Sequence, residues 1–555
     1  MQDFKGEFTE QERNVLEPFV SNTDRNVFVL MNLPEVIKGA LFSRYSRSAK
    51  SLRRVLLDEF INAKEMGFSE IAGGMKSGVG LGNAIQKAQD FYDRILDGYG
   101  DDSVGELGGA HLACEYVSNV AAKFLENPRI GGSPLEKSTR YVWFNTKLNS
   151  EYMFYKEPRI MKSNHANLYL AVNRMLFDTY NRLIEPMTKF VVENFPIEEF
   201  EFTDAATKEN IMFTQIRDEK LKKRVTTAHN ASVKAKVCDA LRAFLPASTL
   251  TNIGIFGNGR FFQGLLTKMY TSRLTEINKL AAAMHVELNT TIPSFVRRAK
   301  SDEYMSKVND DMTRLSEDLL GKEQPEKAED IELVHYDKEA EMDAIAAMLY
   351  PYSRLPIKQI KTSLRNSSTT EIMAVIRSYI GNRKQRRDKP GRALEHIYYT
   401  FDLLTDFGIY RDLQRHRMMT QQRQLLTTEH GYVMPEEIAK AGFKNDFEAC
   451  MKEASEAYMK ISEEMPHEAQ YVVPMAYKVR WHAKLNLREA FHLIELRSTP
   501  QGHPAYRKVA QEMFRKIQKA HPVLAEYMKF VDMNDYPLGR IKSEMKKEEK
   551  MEKYK

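Results

Sequence analysis

The sequence predicts a helix-rich α+β protein made of two tandem copies of one domain. Three observations predict it. A pattern recurs along the 555 residues: LFSRYSR near Leu41 faces MLYPYSR near Leu349, and ELGGAHLACEYVSNVAAKFLENPRI from Glu106 faces EHIYYTFDLLTDFGIYRDLQRHRMM from Glu395. Further on, FLP and then Asn258-Gly259-Arg260 face VVP and then Asn486-Leu487-Arg488, with 12 residues from Pro246 to Asn258 and from Pro474 to Asn486. Such a fixed internal spacing marks a duplicated unit. Thirdly, stretches with apolar residues at i, i+3 and i+4 outnumber alternating ones, so helices dominate over strands.

In the first copy, residues 26–33 (NVFVLMNL) form a short apolar run, predicted as a strand, followed by a helix over 34–43. Gly73–Gly82 (GGMKSGVGLG) has no counterpart in the second copy. It contains GxGxG, a phosphate-loop pattern, but without strand–turn–helix surroundings it reads as a surface loop. Ser103-Val-Gly-Glu106 has capping-box spacing and predicts a helix from Gly105 to about Glu126. Tyr141-Val-Trp-Phe reads as strand, 164–195 and 207–245 as helices, and the Gly-rich 252–264 leads into a helix through Glu276.

The charge-dense 301–330 predicts a helical or partly disordered linker. The second copy opens with a strand, Ile331–Tyr336. Helices follow over 337–349, 369–380, 395–414, 449–464, 486–496 and 505–528. Gly381–Arg392 (GNRKQRRDKPGR) is a basic loop, and the tail KSEMKKEEKMEKYK is a solvated helix or disordered. The expected organisation is a first domain over 20–300, a linker over 301–330, a second domain over 331–540 and a charged tail over 541–555.

The formal charge of +6, from 82 basic and 76 acidic residues, permits phosphate-bearing ligands without requiring nucleic acid. No run reaches the ~18–20 apolar residues of a membrane span, and the N-terminal MQDFKGEFTEQER lacks the character of a signal peptide. Cys114, Cys238 and Cys450 stand too far apart for metal-ligand spacing or a disulfide framework. A cytoplasmic, metal-free protein is expected.

The polar residues of the two copies are complementary. The second carries Arg415-His416-Arg417 where the first has Asn127-Pro128-Arg129; the first carries Glu136-Lys137-Ser138-Thr139-Arg140-Tyr141 where the second has Arg423-Gln424-Leu425-Leu426-Thr427-Thr428. Consecutive Arg, His and Arg make an anion site, since guanidinium binds phosphate in a bidentate manner, although most basic triplets are solvated surface. On one helix, Asn486 and Arg497 project from nearly the same face, and Arg488 and His492 are i, i+4 neighbours. That set could also be an ordinary polar face. Glu136, Ser138 and Arg140 alternate, which in an extended strand puts an acceptor, a hydroxyl and a guanidinium on one side. Arg242 precedes the FLP turn.

These residues resemble the flavin-dependent thymidylate synthases, whose pattern is Glu…Arg-His-Arg followed by ExSxR. The second copy matches the first part, with Glu395 20 residues before Arg415, and the later Asn-x-Arg…Arg through Asn486, Arg488 and Arg497. The family usually has Asn where His492 stands. The first copy matches the rest through Glu136, Ser138, Arg140, Arg242, Asn258 and Arg260. The resemblance implies that FAD is held by Arg415, His416, Arg417, Asn486, Arg488, His492, Glu395 and Ser103. It implies that dUMP is bound by Glu136, Ser138, Arg140, Arg242 and Arg415, and that Arg497 at the uracil ring is catalytic. NADPH and methylenetetrahydrofolate would be co-substrates, and two fused chains would form a homodimer equivalent to the family's tetramer. The chain departs from the family at Asp412, where a Gln is expected; at Arg423, Leu425 and Thr427, which break ExSxR in copy two; and at Gln470 and Met269, where Arg is expected.

Three functions follow as expectations. In the first, one composite site per pseudo-dimer methylates dUMP at C5. In the second, the fold acts on another uracil nucleotide or on nucleic acid, with the basic loop tracking a phosphate backbone. In the third, the chain is a non-catalytic assembly partner.

Overall fold

The computed structural model describes residues 7–62, 105–203 and 210–553. The Gly73–Gly82 loop and Ser103 lie outside the described residues. The chain divides into two compact units, one of residues 1–115, 124–136 and 252–323, the other of 116–123, 137–251 and 324–555. The second unit therefore contains the middle of copy one together with copy two.

Each copy supplies the same sheet. In copy one, β1 (Gly109–Ser118), β2 (Gly132–Glu136) and β3 (Leu250–Asn258) lie in the order β1-β3-β2. In copy two, β4 (Ile331–Tyr336), β5 (Tyr398–Asp406), β6 (Thr420–Arg423) and β7 (Lys478–Asn486) lie in the order β6-β7-β5-β4. Removing β4 leaves the arrangement of copy one, with the late strand central in both. The pairs β2–β3, β6–β7, β5–β7 and β4–β5 are antiparallel: Gly132 faces Gly257 and Glu136 faces Ile253 in one sheet, Thr420 faces Lys484 and Lys478 faces Asp406 in the other.

The two strands β1 and β5 correct the sequence reading, which placed helices over 105–126 and 395–414. Only their ends are helical, as α1 (Asn119–Leu125) and, after α2 (Ala166–Asn194), α3 (Glu219–Leu241) and α4 (Gly259–Tyr270), as α5 (Phe407–Leu413). Tyr399, Phe401 and Leu403 alternate on the buried face of β5, and Thr405 accepts the Trp481 indole N–H at 3.1 Å. A period of two, covered on one face, overrides the helix-like composition. Further corrections are local. Residues 26–33 form no strand, only the bridge Val20–Leu30. Tyr141–Phe144 form no strand, Tyr141 lying in a turn, and 210–212 is a short strand, not helix.

Other elements follow the pattern. Ile331–Tyr336 is a strand, and Ala340–Leu349 and Thr369–Ile376 are helices. So are α6 (Lys444–Ser462), α7 (Leu487–Arg497) and α8 (Pro504–Ala520). The region read as a linker holds a helix, Glu303–Leu320, capped by Asp302. The tail forms α9 (Ile541–Lys553). It is not wholly solvated: Ile541 and Met545, on one helical face, pack in a cluster with Phe202, Ile216, Leu221 and Val225. No helix among the described residues is long and apolar enough to cross a membrane.

The duplication extends to single bonds. Asn258 Oδ1 accepts the Phe261 N–H and Asn486 Oδ1 the Glu489 N–H, each at 2.8 Å, capping equivalent helices. Arg260 pairs with Glu106 at 2.9 Å and Arg488 with Glu395 at 2.6 Å. Within the second unit the two Leu/Val-Pro turns pair with each other. Pro246 bridges its own equivalent, Pro474, while Ala247 N–H donates to Val473 O and Met475 N–H to Leu245 O, both at 2.9 Å. Equivalent residues exchanging bonds is the mark of a two-fold contact, here between copies of one chain.

Candidate functional site

The turn pairing places the C-terminal end of α3 against the start of α5, and this juxtaposition assembles the site. Arg242, only 3% exposed, donates from Nη1 to Asp412 Oδ2 at 3.0 Å. Asp412 also accepts from Arg415 Nη2 at 2.8 Å. Burial pushes the Asp412 carboxyl up, but Arg242, Arg140, Arg415 and Arg497 together outweigh it and hold it well below the usual carboxylate range. The Asp that departs from the family pattern is thus an anion clamped between arginines of both copies.

Arg140 lies at the turn after β2. It donates from Nε and Nη2 to the two oxygens of Asp239 at 2.8 and 2.9 Å, a bidentate pair, and from Nη1 to Tyr506 Oη at 2.8 Å. Asp239 stands one turn before Arg242 on α3. Burial works against its charge, yet Arg140, His503 and Arg540 keep it ionised far into acid. The Tyr506 ring lies between two guanidiniums, with Arg140 5.2 Å and Arg497 5.3 Å from its centre. The site so far consists of cations already matched to carboxylates and one buried ring.

Arg497, at the last turn of α7, donates from Nε to His416 Nε2 at 2.8 Å. That bond makes Nε2 an acceptor, so Nδ1 carries the proton and donates to Glu489 Oε1 at 2.8 Å. Burial and the neighbouring Arg497 hold His416 neutral. Burial pushes the Glu489 carboxyl up to about 7 against the pull of His492 and Arg497. His416, Glu489 and His492 bring their ligand atoms within 4.8 Å of one another, the spacing of a metal set. Lys389, Arg386 and Arg497 all act on His492 or Glu489, so this corner favours an anion over a cation.

Several sequence-selected residues are brought together in the second unit: Ser138, Arg140, Arg242, Arg415, His416 and Arg497. Ser138, Arg140 and Glu136 do not alternate along a strand. The strand ends at Glu136, and Ser138 Oγ accepts the Arg140 N–H at 3.2 Å in the turn that follows. Glu136 falls in the first unit. Arg417 is exposed after the turn. Asn486 caps α7, its Oδ1 accepting the Glu489 N–H. Arg488 bonds Glu395 and, at 2.8 Å, Pro390 O, fixing the end of the basic loop. That loop is anchored by Arg383, which makes a bidentate pair with Glu495 at 2.8 and 2.5 Å over the Phe491 and Phe530 rings.

Sequence reasoning missed Asp239, Tyr506, His503 and Arg540. Asp239 was within reach, being i−3 from Arg242 on one helix. Tyr506 reads as core on an amphipathic helix, and Arg540 as tail.

The mirror position is built differently. Arg423 donates to Gln470 Oε1 at 3.3 Å, which also accepts the Leu426 N–H at 3.1 Å. Where Arg242 meets a carboxylate, its equivalent Gln470 meets an amide and an arginine.

The chain matches the thymidylate synthase complementing protein family over residues 46–294 and 332–523. It belongs to that family. Among curated relatives, UPF0159 proteins of Chlamydia pneumoniae and Chlamydia muridarum are 41% and 40% identical over 98% of this chain, covering 98% and 99% of their own length. A UPF0159 protein of Thermoplasma acidophilum is 34% identical over 92% of this chain and 98% of its own. Among solved structures, a thymidylate synthase X from Helicobacter pylori crystallised with FAD and dUMP is 20% identical, covering 36% of this chain and 99% of its own, with a TM-score of 0.28. Family membership agrees with the helix-rich α+β fold in two copies.

Proposed function

We propose that the chain is a flavin-dependent thymidylate synthase-like enzyme that methylates dUMP at C5, with one composite site per chain. The observation that carries the reading is that Arg140 and Arg242 of copy one and Arg415 and Arg497 of copy two all act on the buried Asp412, with Arg242 and Arg415 bonded to it and Arg497 bonded to His416, whereas the mirror position has Arg423, Gln470 and Leu425.

In this reading Arg140 and Arg242 bind the phosphate and sugar end. Arg497 stands over the ring, where a fixed guanidinium stabilises the uracil anion and so activates C5. His416, neutral and held between Arg497 and Glu489, fixes the orientation of that guanidinium. Arg415, Arg417 and His492, with Arg386 and Lys389 acting on His492, are a donor set that fits an anionic dinucleotide, while both His416 nitrogens are already engaged by Arg497 and Glu489. That set would hold FAD, which supplies hydride when reduced. NADPH and methylenetetrahydrofolate complete the proposed co-substrates, and a homodimer the proposed assembly. The nucleotide enters by displacing the Tyr506 ring from between Arg140 and Arg497.

One observation favours the reading of a non-catalytic partner: Arg140 is already paired with Asp239, and Arg242 through Nη1 with Asp412. A visible absorbance spectrum of the purified chain, followed by dUMP turnover with methylenetetrahydrofolate and NADPH, separates the two. A flavin spectrum with dTMP formed supports the enzyme. Colourless protein without turnover supports the partner.

A further inference from the structure

Two buried guanidiniums share the Asp239 carboxylate. Arg140 donates to it twice, from Nε to Oδ1 at 2.8 Å and from Nη2 to Oδ2 at 2.9 Å. Arg540 Nη2 reaches the same Oδ2, at 3.4 Å. Charge-assisted N–H···O bonds close to ~2.7–2.9 Å, so Arg140 holds the carboxylate and Arg540 stands short of it. The other bond of Arg540, from Nη1 to Arg140 O, is also 3.4 Å, and its guanidinium lies 4.6 Å over the Tyr141 ring. Arg540 is only 5% exposed, and among the described residues Asp239 is the one carboxylate that pairs with it. A buried arginine ordinarily closes on its partner; this one waits beside a carboxylate that another arginine occupies.

Packing on both sides fixes Arg540 in place. Leu538 and Ile541 are buried, and the Arg540 carbonyl accepts the Glu544 N–H at 2.9 Å and the Ser543 hydroxyl at 2.7 Å where α9 begins. Ile541 and Met545 then dock α9 on Phe202, Ile216, Leu221 and Val225. Asp239 is fixed as well: it lies on α3, and its carbonyl accepts from His503 Nε2 at 3.3 Å. Of the three residues, Arg140 alone stands in a turn.

In the composite-site reading, Arg140 takes an anionic group of the nucleotide. No edge of it is open: Nε and Nη2 are on Asp239, and Nη1 is on Tyr506 Oη. Tyr506 offers only a hydroxyl and can be given up. Asp239 is a carboxylate whose side chain is 10% exposed, and leaving it unmatched is strongly unfavourable. We infer that Arg540 is a positioning residue that takes over Asp239 when Arg140 turns to an anion, so that release of one arginine never leaves the carboxylate bare. Arg540 touches no ligand in this scheme and acts through Asp239 and Arg140. The C-terminal segment thereby becomes part of the site. The inference rests on the nucleotide-binding reading for what draws Arg140 away; the ability of Arg540 to hold Asp239 is a property of the folded chain alone.

The test has two arms. The first is a double-mutant cycle in denaturant on the full chain without ligand, using Arg140→Met, Arg540→Met and the two combined. Either arginine should hold Asp239 by itself, so each single variant should fold with a small loss, and the double variant should lose clearly more than the two losses added. Asp239→Asn placed in the double variant should recover most of that loss; a double variant that folds only once Asp239→Asn is added shows the same recovery. Additive losses, or no recovery, overturn the handover. The second arm is calorimetric titration with dUMP. Arg540→Met should bind roughly tenfold more weakly, since one charge-assisted bond is missing from the liganded state. Arg540→Lys should bind nearly as wild type does, and Asp239→Asn added to Arg540→Met should restore binding by freeing Arg140. A residue that only props up the fold would not be rescued by removing a carboxylate. Undiminished dUMP binding in Arg540→Met, or no rescue by Asp239→Asn, overturns the inference. If the wild type binds no dUMP, the composite-site reading fails by itself, and the cycle decides whether Arg540 can hold Asp239.

Discussion

Arg242 and Asp412, 170 residues apart and from different copies, share a buried ion pair of 3.0 Å. Removing one partner of such a pair leaves a buried charge unmatched, at about 3–5 kcal/mol. Asp412→Ala should therefore lower unfolding stability by that amount in denaturant titrations. Asp412→Gln, which keeps an acceptor, should cost clearly less. Equal stability of wild type and Asp412→Ala would show that the pair does not hold the copies together.

The ring of Tyr506 lies where a pyrimidine is proposed to enter, between Arg140 and Arg497. Displacing it forfeits cation–π interactions of ~0.5–2 kcal/mol each. Tyr506→Ala should therefore bind dUMP roughly tenfold more tightly in calorimetry, while melting at a lower temperature. Weaker dUMP binding in the variant would make the ring part of the binding surface instead of an occupant to be displaced.

Much of the fold was legible in the sequence, and the reasons for the exceptions are physical. The duplication was visible because equal spacings survive divergence, and the structure repeats it in strand order, in the Asn258 and Asn486 caps and in two Glu–Arg pairs. The strands β1 and β5 were misread. Capping-box spacing at Ser103 and residues such as Ala, Leu and Glu mimic a helix, while the alternation of Tyr399, Phe401, Leu403 and Thr405 takes effect only against the central strand β7. The site residues of the family pattern were found; their partners were not. Asp239, Tyr506 and Arg540 meet Arg140 only through tertiary packing, which no local pattern encodes.

Glu489 links the site to pH. Its folded carboxyl is raised from an ordinary 4.5 to about 7 by burial, with His492 and Arg497 opposing. A raised value means that the folded chain holds a proton the unfolded chain has lost. Stability from this group is thus fully present below pH 4.5 and lost as pH rises through 7, by about 3 kcal/mol at most. Melting temperatures of wild type should fall between pH 5 and 8, and Glu489→Gln should flatten that profile. An unchanged slope in the variant would assign the pH dependence elsewhere.

Flavin retention tests the asymmetry of the copies. Removing one charge-assisted hydrogen bond from a binding site typically costs about 1.5–3 kcal/mol, or roughly ten- to a hundredfold in affinity. Arg417→Ala should release flavin during gel filtration, read from the visible absorbance, while Arg129→Ala retains most of it. Equal release from both would contradict the assignment of the cofactor to copy two.

The most direct test of the composite site is the stoichiometry of dUMP binding by calorimetry with FAD present. The expected result is one nucleotide per chain, with binding abolished in Arg140→Ala and in Arg497→Ala and retained in Thr427→Ala. Two nucleotides per chain, or undiminished binding in Arg497→Ala, would contradict a single site built from both copies.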